Sequence, residues 1–304
     1  MIDAHCDALW KMWSKRVSFF NREELTVNYH ALKNSPIKLQ CFAIYIPESI
    51  PQKDKFGVAL EMVELFYSEI IDKCEEIVQI KNKNDLLALA PDEIGAMLTL
   101  EGLDAIGNDM HKLDKLLSLG VRMVGLTWNY KNAVSAGVLD ELDTGLSVFG
   151  ENVVRKLNEE KIWIDLAHIS YQGFFDTLKL AKHPIVSHAN VYSITGHKRN
   201  LDDHQIKALM NQNGWIGLTY VKEFVSDDDK VSIEDFCKHM IYLIDYGAGD
   251  SIGIGSDFDG ADLYVQELTS PEDFTSLLSR MKELLPINIC NKIAYENFIR
   301  KFPT

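Results

Sequence analysis

Eight short apolar segments recur along this chain, and a turn and a longer amphipathic stretch follow most of them. Each segment is too short for a helix and often β-branched, which is typical of a parallel strand buried on both faces. This alternation predicts an α/β fold, a (β/α)₈ TIM barrel forming a single domain over residues 1–304, with additional C-terminal helices. A doubly wound open sheet is the alternative. The predicted strands are Ile2 to Asp7, Leu39 to Ile46, Ala96 to Glu101, Met123 to Trp128, Trp163 to His168, Ile185 to His188, Trp215 to Val221 and Ile252 to Asp257.

The stretches between these strands repeat apolar residues with the period of a helix. Asp202 and Ser232 are suited to cap the amino ends of two of the helices. His239 lies on the helix before the eighth strand, where a packing role is expected. The predicted helices are Phe56 to Lys81, Leu113 to Ser118, Gly150 to Glu160, Gly173 to Lys182, Asp202 to Asn213, Ser232 to Tyr246, Pro271 to Lys282 and Asn288 to Phe302.

The composition excludes several classes of protein. The net charge of −14 argues against nucleic acid and anionic membranes as main partners, because both require clustered cationic side chains. No apolar run reaches the length of about 18 residues that a membrane-spanning helix needs. The five cysteines are widely spaced and the amino terminus has no secretion signal, so free thiols and a cytoplasmic location are expected.

Five of the eight predicted strands end in carboxylates or imidazoles. Each residue alone is compatible with a hydrogen-bonded core or capping role, but parallel strands bring their carboxyl ends to one face of a barrel. Buried charges crowded there would repel one another unless cations compensated them. Divalent metal ions with oxygen and nitrogen ligands are the natural choice. The residues are His5, Asp7, Glu101, Asp165, His168, His188, Asp257 and Asp259.

The spacing of these residues favours two metal ions. His5 and Asp7 are two residues apart on a strand, so both face the same side and can chelate one ion. Glu101 has two carboxylate oxygens and can bridge two ions, and His168 and His188 come from adjacent strands. Paired ions activate a bridging water toward a carbonyl or phosphoryl centre. Three imidazoles favour zinc over magnesium.

These motifs resemble those of the membrane dipeptidase (renal dipeptidase) family of binuclear zinc metallopeptidases. They occur in the family's order and cover essentially the whole chain, which has the appearance of a leaderless bacterial-type member. The matching motifs are His5-Cys6-Asp7, Thr99 to Gly102, Gly120 to Arg122, Leu126-Thr127, Asp165 to Ser170, Ser187 to Ala189, His197 to Leu201, Gly253 to Gly260 and Glu296 to Arg300.

The resemblance implies two zinc ions per chain. His5 and Asp7 would bind one ion, His168 and His188 would bind the other, and Glu101 would bridge them. It also implies a homodimer.

The resemblance further implies how a dipeptide is held. Asp257 matches the family's carboxylate that contacts the substrate amine and transfers protons, and Arg199 matches the arginine that holds the C-terminal carboxylate. A guanidinium is suited to such bidentate binding.

The chain departs from the best-known members after Leu126-Thr127. They carry a histidine that stabilises the oxyanion, whereas this chain has Trp128 followed by Asn129. Trp128 is a neutral donor or a wall of the substrate pocket, and Asn129 or a zinc ion is the alternative oxyanion group. Tyr220 is the nearest candidate for the family's substrate-contacting tyrosine.

The resulting hypothesis is a zinc-dependent dipeptidase that hydrolyses free dipeptides by a metal-bridged hydroxide, with a D-residue at the C-terminal position left open. One alternative is a barrel hydrolase of cyclic amides, lactams or phosphoesters. Such enzymes usually begin with His-x-His and often carry a bridging carboxylated lysine, whereas here the motif is His5-x-Asp7 and no lysine ends a strand. The other alternative is a metal-binding homologue without activity, which only Trp128 supports.

Overall fold

The computed structural model describes residues 1–304, and its parallel strands form a closed barrel. The strands are β1 (Ile2–Asp3), β2 (Leu39–Tyr45), β3 (Ile77–Gln79), β4 (Ile94–Glu101), β5 (Val121–Gly125), β6 (Trp163–Asp165), β7 (Pro184–Val186), β8 (Trp215–Leu218) and β9 (Ile252–Ile254). Pairing runs from β2 through β1 and then from β9 down to β4, and β2 also pairs with β4, which closes a ring of eight strands. The predicted (β/α)₈ barrel is confirmed.

The short strand β3 corrects the prediction of a helix from Phe56 to Lys81. β3 pairs with the first part of β4, where Ile77 lies opposite Ile94, and β5 becomes the partner of β4 from Leu98 onward. The helix continues only through a π-helical segment, Phe66–Ile71. Ile77 continues the helical spacing of apolar residues in the sequence, but in the structure it is buried beside β4 in extended backbone. The apolar pattern therefore runs from the helix into the strand without a break, and the spacing alone did not show where the helix ends.

Helices surround the barrel, and both predicted caps are confirmed. The Asp202 side chain accepts a hydrogen bond from the Gln205 backbone amide, and the Ser232 side chain accepts one from the Asp235 backbone amide. None of the helices combines the length and hydrophobicity needed to cross a bilayer. The helices are α1 (Ala8–Lys15), α2 (Tyr29–Lys33), α3 (Gln52–Leu65), α4 (Lys83–Leu87), α5 (Met110–Ser118), α6 (Val148–Glu159), α7 (Tyr171–Leu178), α8 (Asp203–Asn211), α9 (Lys222–Val225), α10 (Ile233–Leu243), α11 (Phe274–Leu284), α12 (Ile287–Asn291) and α13 (Asn297–Lys301).

Aromatic side chains pack around the amino-terminal ends of the barrel strands. Trp163 begins β6, and its ring centroid lies 4.5 Å from that of Phe298 on α13. Trp215 begins β8 and contacts the same phenylalanine at 5.2 Å. This end of the barrel is therefore occupied by apolar packing, and the polar strand ends lie at the opposite face.

His239 on α10 is a buried histidine away from that face. Its Nδ1 accepts a hydrogen bond from the Val191 amide at 3.1 Å, and its Nε2 donates to the Val225 carbonyl at 2.8 Å. The first bond requires an unprotonated Nδ1. Burial lowers the pKa of His239 from 6.5 to about 4, so the folded protein keeps this ring neutral.

We expect His239 to make the fold sensitive to acid. Below pH 6.5 the unfolded chain binds a proton that the folded chain excludes, so stability is fully present above pH 6.5 and falls toward pH 4. The loss reaches about 2 kcal/mol by pH 5. Urea unfolding at pH 7 and pH 5 measures it, and His239→Gln should lose that part of the pH dependence while remaining less stable at both. An unchanged difference between the two pH values would contradict the prediction.

Candidate metal centre

The five side chains predicted to bind metal converge at the carboxyl end of the barrel. His5 Nε2 lies 3.3 Å from Asp7 Oδ2, and His168 Nε2 lies 2.8 Å from His188 Nε2. All five, including Glu101, are no more than 8% exposed. They meet because each ends a parallel strand or closely follows one, and these ends open onto one face.

Glu101, the last residue of β4, lies between two groups of side chains. Its Oε1 is 2.9 Å from His168 Nε2 and 3.6 Å from His188 Nε2. Its Oε2 is 3.7 Å from His5 Nε2. Each carboxylate oxygen thus faces different histidine nitrogens that could bind metal, which is the arrangement that a bridging ligand requires.

Asp257 joins the side of the centre that contains His5. Its Oδ1 lies 3.7 Å from His5 Nε2. The backbone φ is 64° at Asp257 and 66° at His168, a left-handed conformation that costs non-glycine residues of order 1–3 kcal/mol and is common at functional sites.

The chain then passes close to two carboxylates at Gly260. A Cβ atom at this position would lie 2.3 Å from Asp7 Oδ2 and 2.4 Å from Asp257 Oδ1. Only glycine allows this close approach, so the residue shapes the centre without contributing a donor.

Two of the imidazoles make a hydrogen bond through Nδ1, on the side of the ring that faces away from the centre. The Asn129 Oδ1 lies 2.7 Å from His168 Nδ1 and accepts its hydrogen bond. The Ser187 hydroxyl donates to Asp165 Oδ2, so its oxygen accepts from His188 Nδ1 at 2.8 Å. With a proton on each Nδ1, each Nε2 presents a lone pair to the centre.

The carboxylates crowd one another in a buried space. Burial, followed by the charge of Asp7, raises the pKa of Glu101 well above its usual range, and burial raises the pKa of Asp257 to about 7. Burial alone would lower the pKa of His5, but the charges of Glu101 and Asp7 raise it to about 10. The centre therefore favours positive charge strongly.

The donors present fit divalent metal ions. Burial lowers the pKa of His168 and His188 well below 6.5, so two neutral imidazoles face each other at 2.8 Å with lone pairs that repel unless a cation lies between them. Asp7 Oδ1 is buried without a hydrogen-bond partner. Imidazole nitrogens and carboxylate oxygens are ligands of zinc. Ligand atoms within 4.8 Å of one another come from His5, Glu101 and His188, and from His5, Asp7 and Asp257.

A cavity of about 630 Å³ opens above these side chains, a volume suited to a small ligand. Four aromatic residues, Trp10, Tyr45, Trp128 and Phe224, form part of its lining. The Tyr45 ring lies 5.1 Å from Trp128 and 5.8 Å from Trp10. Lys222 and Leu263 also line the cavity, so it offers apolar and charged surface to a ligand.

Arg199 lies beside the centre and is only 6% exposed. Its Nη2 donates to the His188 carbonyl at 3.1 Å, and its guanidinium carbon lies 5.5 Å from the centroid of the Phe224 ring. The Nε is buried without a partner. Burial lowers the pKa of Arg199 to about 10, so it remains a cation near neutral pH with hydrogen-bonding capacity to spare.

The three residues predicted for substrate contact on weaker grounds lie in different places. Trp128 and Asn129 line the cavity, although the Asn129 oxygen is already bonded to His168. Tyr220 is fully buried, and its ring packs against Phe236 on α10 at 5.0 Å. The structure therefore does not bring Tyr220 to the site, because the chain after β8 turns this side chain into the layer between barrel and helices.

Tyr45 and Gly260 belong to the site but were not predicted to do so. Tyr45 ends β2, and its place at the carboxyl end of a strand was the available signal. Gly260 followed Asp257 in a recognised motif, but its role depends on an approach to Asp7 from the other end of the chain.

A parallel barrel with histidines and carboxylates gathered at its strand ends is an arrangement typical of metal-dependent barrel hydrolases. The family model described as Membrane dipeptidase (Peptidase family M19) matches residues 1–304, and the chain belongs to this family. The resemblance found in the sequence motifs is thereby confirmed.

Solved structures share the fold closely. The dipeptidase AC, a metallopeptidase, has a TM-score of 0.93 at 23% identity, covering 99% of this chain and 97% of that chain. The same values hold for a metallopeptidase from Rhodobacter sphaeroides liganded with a phosphinate mimic of the dipeptide L-Ala-D-Ala. A probable dipeptidase from Pseudomonas aeruginosa has a TM-score of 0.87 at 15% identity, covering 93% and 89%.

A curated relative gives a sequence match of more limited extent. An uncharacterized dipeptidase of Schizosaccharomyces pombe is 27% identical over 222 residues, which cover 71% of this chain and 52% of that protein. The match thus spans about half the length of the relative.

Proposed function

We propose that this chain hydrolyses free dipeptides with two zinc ions. His5 and Asp7 would hold one ion, His168 and His188 the other, with Glu101 between them. The observation that carries the proposal is the division of the Glu101 oxygens, since Oε1 faces His168 at 2.9 Å and Oε2 faces His5 at 3.7 Å. Membership of the membrane dipeptidase family supports the substrate class.

Zinc bound here would supply a water activated near neutral pH and would polarise the scissile carbonyl. The residues of the chain bind and orient the dipeptide and move its protons. Asp257 accepts hydrogen bonds from the free amino group of the substrate. It also takes up the proton that the attacking water loses and passes it to the departing amine nitrogen. Trp128 and Tyr45 form an aromatic wall that limits how the substrate lies in the cavity.

Arg199 gives the proposed reaction its length limit. Its guanidinium binds the C-terminal carboxylate, which in a dipeptide lies one residue beyond the scissile bond. The partnerless Nε supports this role, because a buried cation with unused donors gains from an incoming anion. Longer peptides would place an amide there instead.

A panel of L,L and L,D dipeptides tests this function in zinc-loaded protein, with N-acetylated, amidated and tripeptide controls. The L,D members are included because the Rhodobacter sphaeroides metallopeptidase was solved with a mimic of L-Ala-D-Ala. We expect turnover only of free dipeptides, with some L,D substrates accepted. No turnover of any dipeptide by protein with zinc bound would overturn the proposal.

Removing the metal is expected to abolish hydrolysis and to lower Tm. Zinc at about a hundred times its Kd stabilises the folded protein by about 2.7 kcal/mol through mass action. Calorimetry before and after chelation measures the shift, and zinc should restore both Tm and activity. Magnesium is the control, since it prefers oxygen ligands and should restore neither. Full activity after complete removal of metal would contradict the prediction.

A further inference from the structure

We infer that Asn129, and Asp165 acting through Ser187, are positioning residues that fix the metal-binding tautomers of His168 and His188. The inference rests on the proposed metal centre and deepens it. It concerns which ring nitrogen carries the proton, since only a nitrogen with a free lone pair can bind a metal ion.

Asn129 selects the tautomer of His168 through its amide oxygen. A carbonyl oxygen has no proton to give, so the 2.7 Å contact with Nδ1 requires the proton to lie on Nδ1. The lone pair is then on Nε2, which is 2.9 Å from Glu101 Oε1 at the centre. The role assigns Asn129 to the histidine rather than to the substrate oxyanion.

Asp165 selects the tautomer of His188 through a hydroxyl relay. The Asp165 carboxylate accepts from both the amide and the hydroxyl of Ser187. Because this fixes the serine proton toward the carboxylate, Ser187 Oγ accepts from His188 Nδ1. All three residues are no more than 4% exposed, so water does not compete for these bonds. The buried negative charge also makes the imidazole a more basic ligand.

The same arrangement occurs across the barrel without an imidazole, which provides a matched control. Asp3 accepts from the Ser256 amide at 2.8 Å and from its hydroxyl at 2.7 Å. Ser256 Oγ otherwise contacts the His5 carbonyl and the Phe258 amide, which are backbone groups. Ser256→Ala therefore removes an equivalent carboxylate–serine contact with no change to a histidine Nδ1 partner.

Protein labelled with ¹⁵N-histidine tests the inference in the metal-free state, since nitrogen chemical shifts distinguish the two tautomers. We expect Nδ1–H forms for His168 and His188 in the wild type, because both Nδ1 atoms face buried acceptors, and the two Nε2 lone pairs then face each other until a cation binds. Asn129→Leu should release His168 alone, Ser187→Ala and Asp165→Asn should release His188 alone, and Ser256→Ala should release neither. Asn129→Asp retains the acceptor oxygen and should preserve the His168 tautomer.

Zinc affinity, measured by competition with a chelator, provides the second readout. Loss of such an outer contact typically weakens metal binding by about 10–100-fold, which is expected for Asn129→Leu and Ser187→Ala but not for Asn129→Asp. Unchanged tautomers together with affinities within about two-fold of the wild type would overturn the inference. Wild-type protein that binds no zinc would instead overturn the proposed function, and the tautomers would still be measurable.

Discussion

Glu101→Gln is expected to remove one of the two zinc equivalents and to lower kcat/KM for dipeptides by about a thousand-fold. The amide keeps one acceptor oxygen, but its NH₂ group has no lone pair for a second ion. Because each oxygen of Glu101 faces a different set of donors, losing one oxygen as a ligand affects one side of the centre. Polarisation of the carbonyl by metal contributes several kcal/mol, and about 1.4 kcal/mol corresponds to a tenfold rate.

In Glu101→Gln the metal-to-protein ratio and kcat/KM should fall together. The melting temperature of the metal-free variant shows whether misfolding is the cause instead. Burial and the charge of Asp7 raise the pKa of Glu101 well above its usual range, so the ionised carboxylate destabilises the metal-free fold. The metal-free variant should therefore melt at or above the metal-free wild type. Glu64→Gln, an exposed position on α3, is the control for the substitution itself. Two bound zinc ions and full activity in Glu101→Gln would refute the bridging role.

The convergence of the predicted metal-binding side chains could be foreseen from the sequence because of how parallel barrels bury their strands. An apolar strand that is covered on both faces leaves its first titratable residue conspicuous at the carboxyl end. Glu101 and His188 follow this rule directly, and His5 with Asp7 adds the chelating spacing. These positions depend on local pattern and on one topological fact, that such ends share a face.

The orientation of Asn129 could not be predicted in the same way. Its contact with His168 depends on the loop after β5 folding against the end of β6. The Val138 amide donates to the His168 carbonyl at 2.8 Å, and Leu139 donates to the Asn129 carbonyl at 2.9 Å. These bonds join residues separated by a long irregular segment, for which periodicity carries no information.

Tyr220 and Ile77 show two other limits of sequence patterns. Tyr220 follows a strand as a substrate-contacting residue would, but its ring packs against Phe236 outside the barrel. Its position along the chain therefore did not determine which way its side chain points. Ile77 continued a helical spacing across a turn into β3. In both cases tertiary packing decided between alternatives that the local sequence left equal.

Arg199→Ala is expected to raise KM for free dipeptides by about 100-fold, with a much smaller change in kcat. Charge-assisted hydrogen bonds to the substrate carboxylate are worth about 3 kcal/mol, and these bonds form on binding rather than only in the transition state. Arg199→Lys retains the charge without the planar guanidinium, so its KM should lie between those of the wild type and Arg199→Ala. Steady-state kinetics on a preferred dipeptide measures the series. Lys198→Ala, the exposed neighbouring cation, is the control.

Amidated dipeptides distinguish a carboxylate contact from a structural role. Arg199 also donates to the His188 carbonyl, so its removal affects the centre itself as well as the substrate. If the guanidinium binds the substrate carboxylate, Arg199→Ala should lower kcat/KM far more for the free dipeptide than for its amide, because the amide already lacks the partner. Equal losses on both substrates would assign Arg199 to support of His188, and an unchanged KM would exclude it as the carboxylate site.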